Sequence, residues 1–176
     1  MTKKTLVSAF AVFSFIFAAG ILALPARAAA AEQQEIGRFG QWIAYVFEEN
    51  GGKVCYMASK PQKAEGRYSR RGDIVAMITH RPSEGTKDVF SYMAGYGYRK
   101  GSDVNLSVDG KKFTLFTQND MAWAADAAAD SALATAIRQG NRMVVKGVSS
   151  RGTETTDTYS LAGSTKAYEA ISEACK

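Results

Sequence analysis

Apolar and polar residues change over in short runs along most of this chain, with turn-forming residues between the runs. "FGQWIAYVFEE" predicts a strand over residues 42–48, where large apolar side chains continue without glycine or proline. "ENGG" supplies a turn, and "KVCYMASK" is the returning strand with Cys55 inside it. The charged run "PQKAEGRYSRRGD" predicts a polar connection. Strand composition resumes in "IVAMITHR" from Ile74 to Arg81 and in "DVFSYMAGYGY" from Asp88, separated by Pro82 and Gly85. In "VNLSVDGKKFTLFTQ" the pair Asp109-Gly110 between two β-rich runs predicts a tight hairpin, because such turns need positive φ. "RMVVKGVS" and "ETTDTYSL" predict two more strands around a turn at Arg151-Gly152.

The period changes late in the chain. In "DSALATAIRQGN" Ser131 is a candidate cap, Leu133, Ala136 and Ile137 share a face, and Gly140 ends the helix. In "GSTKAYEAISEACK" Ser164 is a candidate cap, and Ala167, Tyr168, Ile171 and Cys175 fall on one stripe. The pattern predicts a mainly β protein, antiparallel and sandwich-like, with two short helices late in the chain, the last one C-terminal. No internal repeat, low-complexity linker or second domain is evident.

The N-terminal segment departs from this pattern. Lys3 and Lys4 precede an uncharged apolar stretch from Leu6 to Leu24, and the triplets Ala26-Arg27-Ala28 and Ala28-Ala29-Ala30 follow. That order predicts a secretory signal peptide over residues 1–30, cleaved near Ala28 or Ala30, and a single domain over 31–176. The competing reading is an uncleaved inner-membrane anchor, which Pro25 and the alanine run oppose. The chain has 22 basic and 17 acidic residues; taking away Lys3, Lys4 and Arg27 leaves 19 against 17. The mature chain is then near neutral, and no basic helix or zinc-ligand spacing supports nucleic-acid binding. No later stretch is long and apolar enough to span a membrane, so a periplasmic or secreted protein is expected.

Export changes the meaning of the two cysteines. In an oxidising compartment thiols tend to pair, and Cys55 and Cys175 allow one intramolecular connectivity. Cys175 shares its stripe with Ile171, so it points inward. The expectation is a Cys55–Cys175 disulfide that fastens a C-terminal helix to an early strand.

Candidate chemistry is sparse. His80, the only histidine, has Ser83, Glu84 and Asp88 nearby in sequence, without nucleophile-elbow or metal-ligand spacing. Gly95, Gly97 and Gly101 in "GYGYRKGSD" match no phosphate-binding motif and predict a strand end and turn. Asp126 and Asp130 sit where they complement or cap a helix start, and Trp42 and Trp123 read as packing anchors. No catalytic, cofactor-binding or metal-binding residue is predicted. In "GRYSRRGD", Arg67, Tyr68, Arg70 and Arg71 form a solvated loop or, in the sharper reading, a binding loop for an acidic partner. The Arg71-Gly72-Asp73 tripeptide is too short to carry a meaning of its own.

"FGQW", then "VCYM", and the closing "MVVKGVSSRGTETTDTYSLAGSTKAYEAISEAC" resemble the invasion-associated locus B family, small exported proteins of Gram-negative bacteria. The resemblance runs from about Phe39 to Cys175 and brings no catalytic residues with it. It implies an exported, non-enzymatic envelope or secreted protein, without implying invasion; together with the arginine loop, the expectation is a protein that binds a protein or an anionic glycan such as lipopolysaccharide, in host-cell interaction or envelope maintenance. The alternatives are a periplasmic hydrolase built around His80 and a membrane-anchored structural envelope protein. Many family members carry a cysteine four residues after the tryptophan, where this chain has Val46; that departure leaves Cys175 as the partner for Cys55.

Overall fold

The computed structural model of the chain describes residues 32–176; the expected signal segment and its cleavage site lie outside them. Among the described residues, eleven strands join in one antiparallel ladder: β1 (Gln34–Phe39), β2 (Trp42–Glu49), β3 (Gly52–Ser59), β4 (Lys63–Gly66), β5 (Val75–Arg81), β6 (Thr86–Met93), β7 (Val104–Val108), β8 (Lys111–Gln118), β9 (Met121–Trp123), β10 (Arg142–Val148) and β11 (Glu154–Ser160). The helices are α1 (Ala127–Gln139) and α2 (Ser164–Ala174). The ladder runs β1-β2-β3-β5-β6-β9-β8-β7-β10-β11-β4.

Strand β8 turns the corner of this ladder. Residues 111–115 pair with β7, whereas residues 116–118 pair with β9. The sheet thereby folds over on itself, and its two halves pack face to face as in a sandwich. Tyr92 of β6 meets Tyr159 of β11 edge-on at 6.4 Å, and the Trp42 indole N–H donates to the Ser160 carbonyl at 3.1 Å. Met57, Ile78, Phe90, Leu106 and Leu115 complete a closed apolar interior between them. The mainly β, sandwich-like expectation with two late helices therefore holds, and the Asp109-Gly110 turn has positive φ at both residues (46° and 91°).

Three strands escape the sequence pattern. β1 ("QEIGRF") and β4 ("KAEG") lie at the two edges of the ladder; β4 is exposed throughout, and β1 is half exposed, with Ile36 and Phe39 packed against the core. An edge strand need not present an apolar face, and charged side chains there also discourage pairing with foreign strands. β9 has only three residues, too few for a period, and exists because β6 and β8 flank it.

Neither serine expected to cap a helix does so, whereas Asp126 takes the capping role its position allowed. Asp126, not Ser131, caps α1: its carboxylate accepts the Ala129 N–H at 2.8 Å, and Ser131 lies exposed inside the helix. Ser164 is buried and caps nothing of its own helix; its hydroxyl donates to the Ile137 carbonyl at 2.9 Å, and Thr165 donates to Arg138 at 2.7 Å. The last carbonyls of α1, which lack intrahelical partners, are thus satisfied by the first turn of α2. The capping position of α2 falls to Gly163, at φ 93°, where a Cβ would lie 2.2 Å from the Phe39 carbonyl oxygen.

Helix α2 packs on β1, β2 and β3, and α1 packs on β6. Ala167, Tyr168 and Ile171 are buried along the predicted stripe of α2. At its end Cys175 is bonded to Cys55 of β3, with the two Cα atoms 5.9 Å apart. Val46 is the residue opposite Cys55 on β2, the place from which a cysteine would compete for it.

The bond closes a loop across a sequence separation of 120 residues. Titration of denatured, unreduced protein should find almost no free thiol. Replacing both cysteines with serine should lower the unfolding free energy by about 2–4 kcal/mol in urea while the far-ultraviolet spectrum stays that of a β-rich fold. Two titratable thiols, or unchanged stability, would contradict this.

Candidate functional site

Period-two alternation in β11 turns Thr155, Asp157 and Tyr159 inward, so a carboxylate enters the interior. Arg71 meets it. The chain between β4 and β5 brings this side chain in beside β11, and its Nη1 and Nη2 donate to Asp157 Oδ1 and Oδ2 at 2.7 and 2.6 Å. Its Nε donates to the Ala94 carbonyl at 2.7 Å, and the Tyr92 hydroxyl donates to Asp157 Oδ2. The two charged side chains are 3% and 1% exposed. Burial opposes the charge on Arg71, yet the hydrogen bonds and charge of Asp157 outweigh it and hold its pKa above the ordinary guanidinium value. Burial pushes the Tyr92 hydroxyl up, and the nearby Tyr159 and Asp157 add to that rise, so it remains a donor.

This pair underlies a cleft of about 680 Å³. Arg67 and Arg70 line it from the β4–β5 connection, and Arg151 lines it from the β10–β11 turn. Tyr68 and Tyr96 contribute rings to the lining, and the Arg71 guanidinium lies 5.4 and 5.0 Å from their centroids. Tyr96 shares a hydrogen bond with Thr155 at 2.6 Å. No carboxylate lines the cleft, and among the described residues Arg67, Arg70 and Arg151 have no ion-pair partner.

Of the four loop residues expected at a binding site, Arg67, Tyr68 and Arg70 are placed at the cleft. Arg71 is not a free cation: its charge is consumed by Asp157, so it positions the loop and presents nothing to solvent. The Arg71-Gly72-Asp73 tripeptide is dismantled in the same way, since Gly72 donates to the Gly95 carbonyl and Asp73 pairs with Lys60. Sequence reasoning missed Arg151, which is remote from Arg67 along the chain. It also missed Asp157, although the inward Tyr159 two residues on carries the phase that buries it.

His80 lies elsewhere, under α2. Its Nδ1 accepts the Asp88 backbone N–H at 3.1 Å, so the ring proton sits on Nε2, 3.3 Å from the Ser172 hydroxyl. The ring is 4% exposed and meets Tyr168 edge-on at 5.3 Å, while the Tyr168 hydroxyl donates to Asp88 at 2.6 Å. Ser83 lies over Gly52 and Glu84 pairs with Arg81, so neither joins the histidine. An imidazole already protonated on the nitrogen facing Ser172 cannot accept that hydroxyl's proton. Asp126 caps α1, and buried Asp130 accepts the Phe90 N–H at 2.8 Å, tying α1 to β6. No group of three metal-ligating side chains occurs among the described residues. Trp42 is fully buried and Trp123 half-buried.

A folded-over antiparallel sheet with a disulfide-fastened terminal helix and a basic cleft defines a small β-rich protein of the sandwich class. Residues 42–172 match the family model described as Invasion associated locus B (IalB) protein, and the chain belongs to that family. Its fold is similar to the crystal structure of invasion associated protein b from Bartonella henselae, with a TM-score of 0.55 and 16% identity over 83% of this chain and 97% of that one. No curated protein matches the chain.

Two measurements probe these clusters. Asp157→Asn should lower stability by about 3–5 kcal/mol, because it leaves the Arg71 charge buried without its counter-ion, whereas Arg71→Met combined with Asp157→Leu should cost less than either single change. For His80, burial lowers the pKa and opposes protonation, Asp88 works against that, and Lys87 reinforces it. A histidine whose folded pKa lies below its unfolded value contributes stability above about pH 6.5 that is lost as pH falls through the folded pKa. Urea unfolding should therefore show wild type losing more stability than His80→Gln between pH 7 and pH 5; parallel losses would contradict this.

Proposed function

We propose that this chain is an exported, non-enzymatic binding protein of the invasion-associated locus B type, acting in the periplasm or outside the cell. The observation that carries the reading is the cleft lined by Arg67, Arg70 and Arg151 with no carboxylate among its lining residues. Guanidinium groups without local counter-ions in a concave site concentrate anions and pair with oxyanions in bidentate fashion. The partner is an acidic protein surface or an anionic glycan, lipopolysaccharide included, and the role is host-cell contact, as the name of the Bartonella relative suggests, or envelope maintenance.

Export is supported by the charge, apolar and alanine order of residues 1–30 and by the Cys55–Cys175 bond, which persists in oxidising compartments. No helix among the described residues is long and apolar enough to cross a membrane. The non-enzymatic reading is supported by the His80 tautomer, which is wrong for a base acting on Ser172.

Replacing Arg67, Arg70 and Arg151 with serine should leave the melting temperature nearly unchanged, since all three side chains are at the surface and unpaired. The triple variant should elute from immobilised heparin or lipopolysaccharide at clearly lower salt than wild type. Equal retention at low salt would overturn the reading.

A further inference from the structure

The cleft holds more than positive charge. Tyr68 is 37% exposed, one of two large apolar side chains in the described residues with that much surface. It is nevertheless held in place: its hydroxyl donates to the Ala64 carbonyl at 3.1 Å, and the Arg71 guanidinium lies over its ring at 5.4 Å. Because Arg71 is itself fixed by Asp157 and Ala94, the exposed ring is pre-organised and does not have to be ordered by a ligand. The lining also includes Ser69, Ser149, Ser150 and Thr153, whose hydroxyls can donate and accept hydrogen bonds with neutral partners, although Ser149 Oγ already accepts the Thr153 N–H at 3.1 Å.

We infer that the cleft takes an acidic oligosaccharide, whose carboxylate or sulfate groups pair with Arg67, Arg70 and Arg151 while one sugar ring lies on Tyr68. This rests on the basic-cleft reading above and narrows its partner to one class. Size supports it: a cleft of about 680 Å³ is far larger than one oxyanion needs and falls within the volumes that hold ligands of roughly two or three sugar units. Chemistry supports it too. The C–H face of a pyranose carries partial positive charge and suits the negative face of an aromatic ring. Sugar hydroxyls can use both the donor and the acceptor capacity of the serine and threonine hydroxyls, whereas a peptide's carboxylate can only accept from them.

Calorimetric titration of the disulfide-intact protein tests this with four probes: a heparin tetrasaccharide, trigalacturonate, a glutamate peptide of matched charge, and sodium sulfate. At least one acidic oligosaccharide should bind about ten-fold or more tightly than the glutamate peptide and sulfate; preference between the first two tells sulfate from carboxylate recognition. Tyr68→Ala should reduce the ratio of saccharide to peptide affinity about ten-fold, as expected for loss of a stacked ring, and Tyr68→Phe should restore it. Equal binding of peptide and saccharide, or an unchanged ratio in Tyr68→Ala, would overturn the oligosaccharide inference and leave the basic cleft standing. Failure of all four probes to bind at low salt would overturn both.

Discussion

The Arg71–Asp157 pair is the constraint on which the rest of the molecule depends. Taking both charges out of water is expensive, and the expense is offset only by close geometry and by partners for the remaining hydrogen-bonding groups. Here the guanidinium bonds both carboxylate oxygens and the Ala94 carbonyl, and Tyr92 completes the carboxylate. These contacts join β11, the end of β6 and the β4–β5 connection at one point. They cross from one half of the folded sheet to the other, so register errors in either half would strand a buried charge. An apolar contact in the same place would be more tolerant of slippage.

The same pair explains why a run of charged residues becomes a shaped surface. With Arg71 drawn inward, its neighbours Arg67, Tyr68 and Arg70 are held beside the β10–β11 turn, where Arg151 meets them. The positive potential is local. Residues 31–176 hold 19 basic and 17 acidic side chains, so their net charge is small, and the cleft is basic because of which side chains converge there.

The two helices solve a different problem. Each needs partners for its terminal backbone groups, and α2 supplies them to α1 through Ser164 and Thr165. The disulfide then holds the last turn of α2 against β3, and His80, opposite Cys55 on β5, fills the space beneath with a neutral ring. Chain ends ordinarily fray; this one is covalently closed and packed.

The sequence by itself determined the class of fold, the two late helices and the disulfide. Runs such as Trp42–Glu48 and the Asp109-Gly110 turn have preferences that neighbouring residues impose, and helical spacing alone pointed Cys175 inward. Tertiary structure decided whatever depended on distant partners. Edge strands β1 and β4 exist because β2 and β11 offer them hydrogen bonds, not because their own residues favour extension. Ser164 has the right chemistry for capping, but it found an unsatisfied carbonyl on another helix; the Asp126 cap of α1 is local and was legible. Arg67, Tyr68 and Arg70 were legible as a candidate site because they are contiguous. Arg151 and the buried role of Arg71 were not, since a charge is assigned to solvent or interior only by whether a counter-charge lies within reach, and Asp157 is 86 residues away.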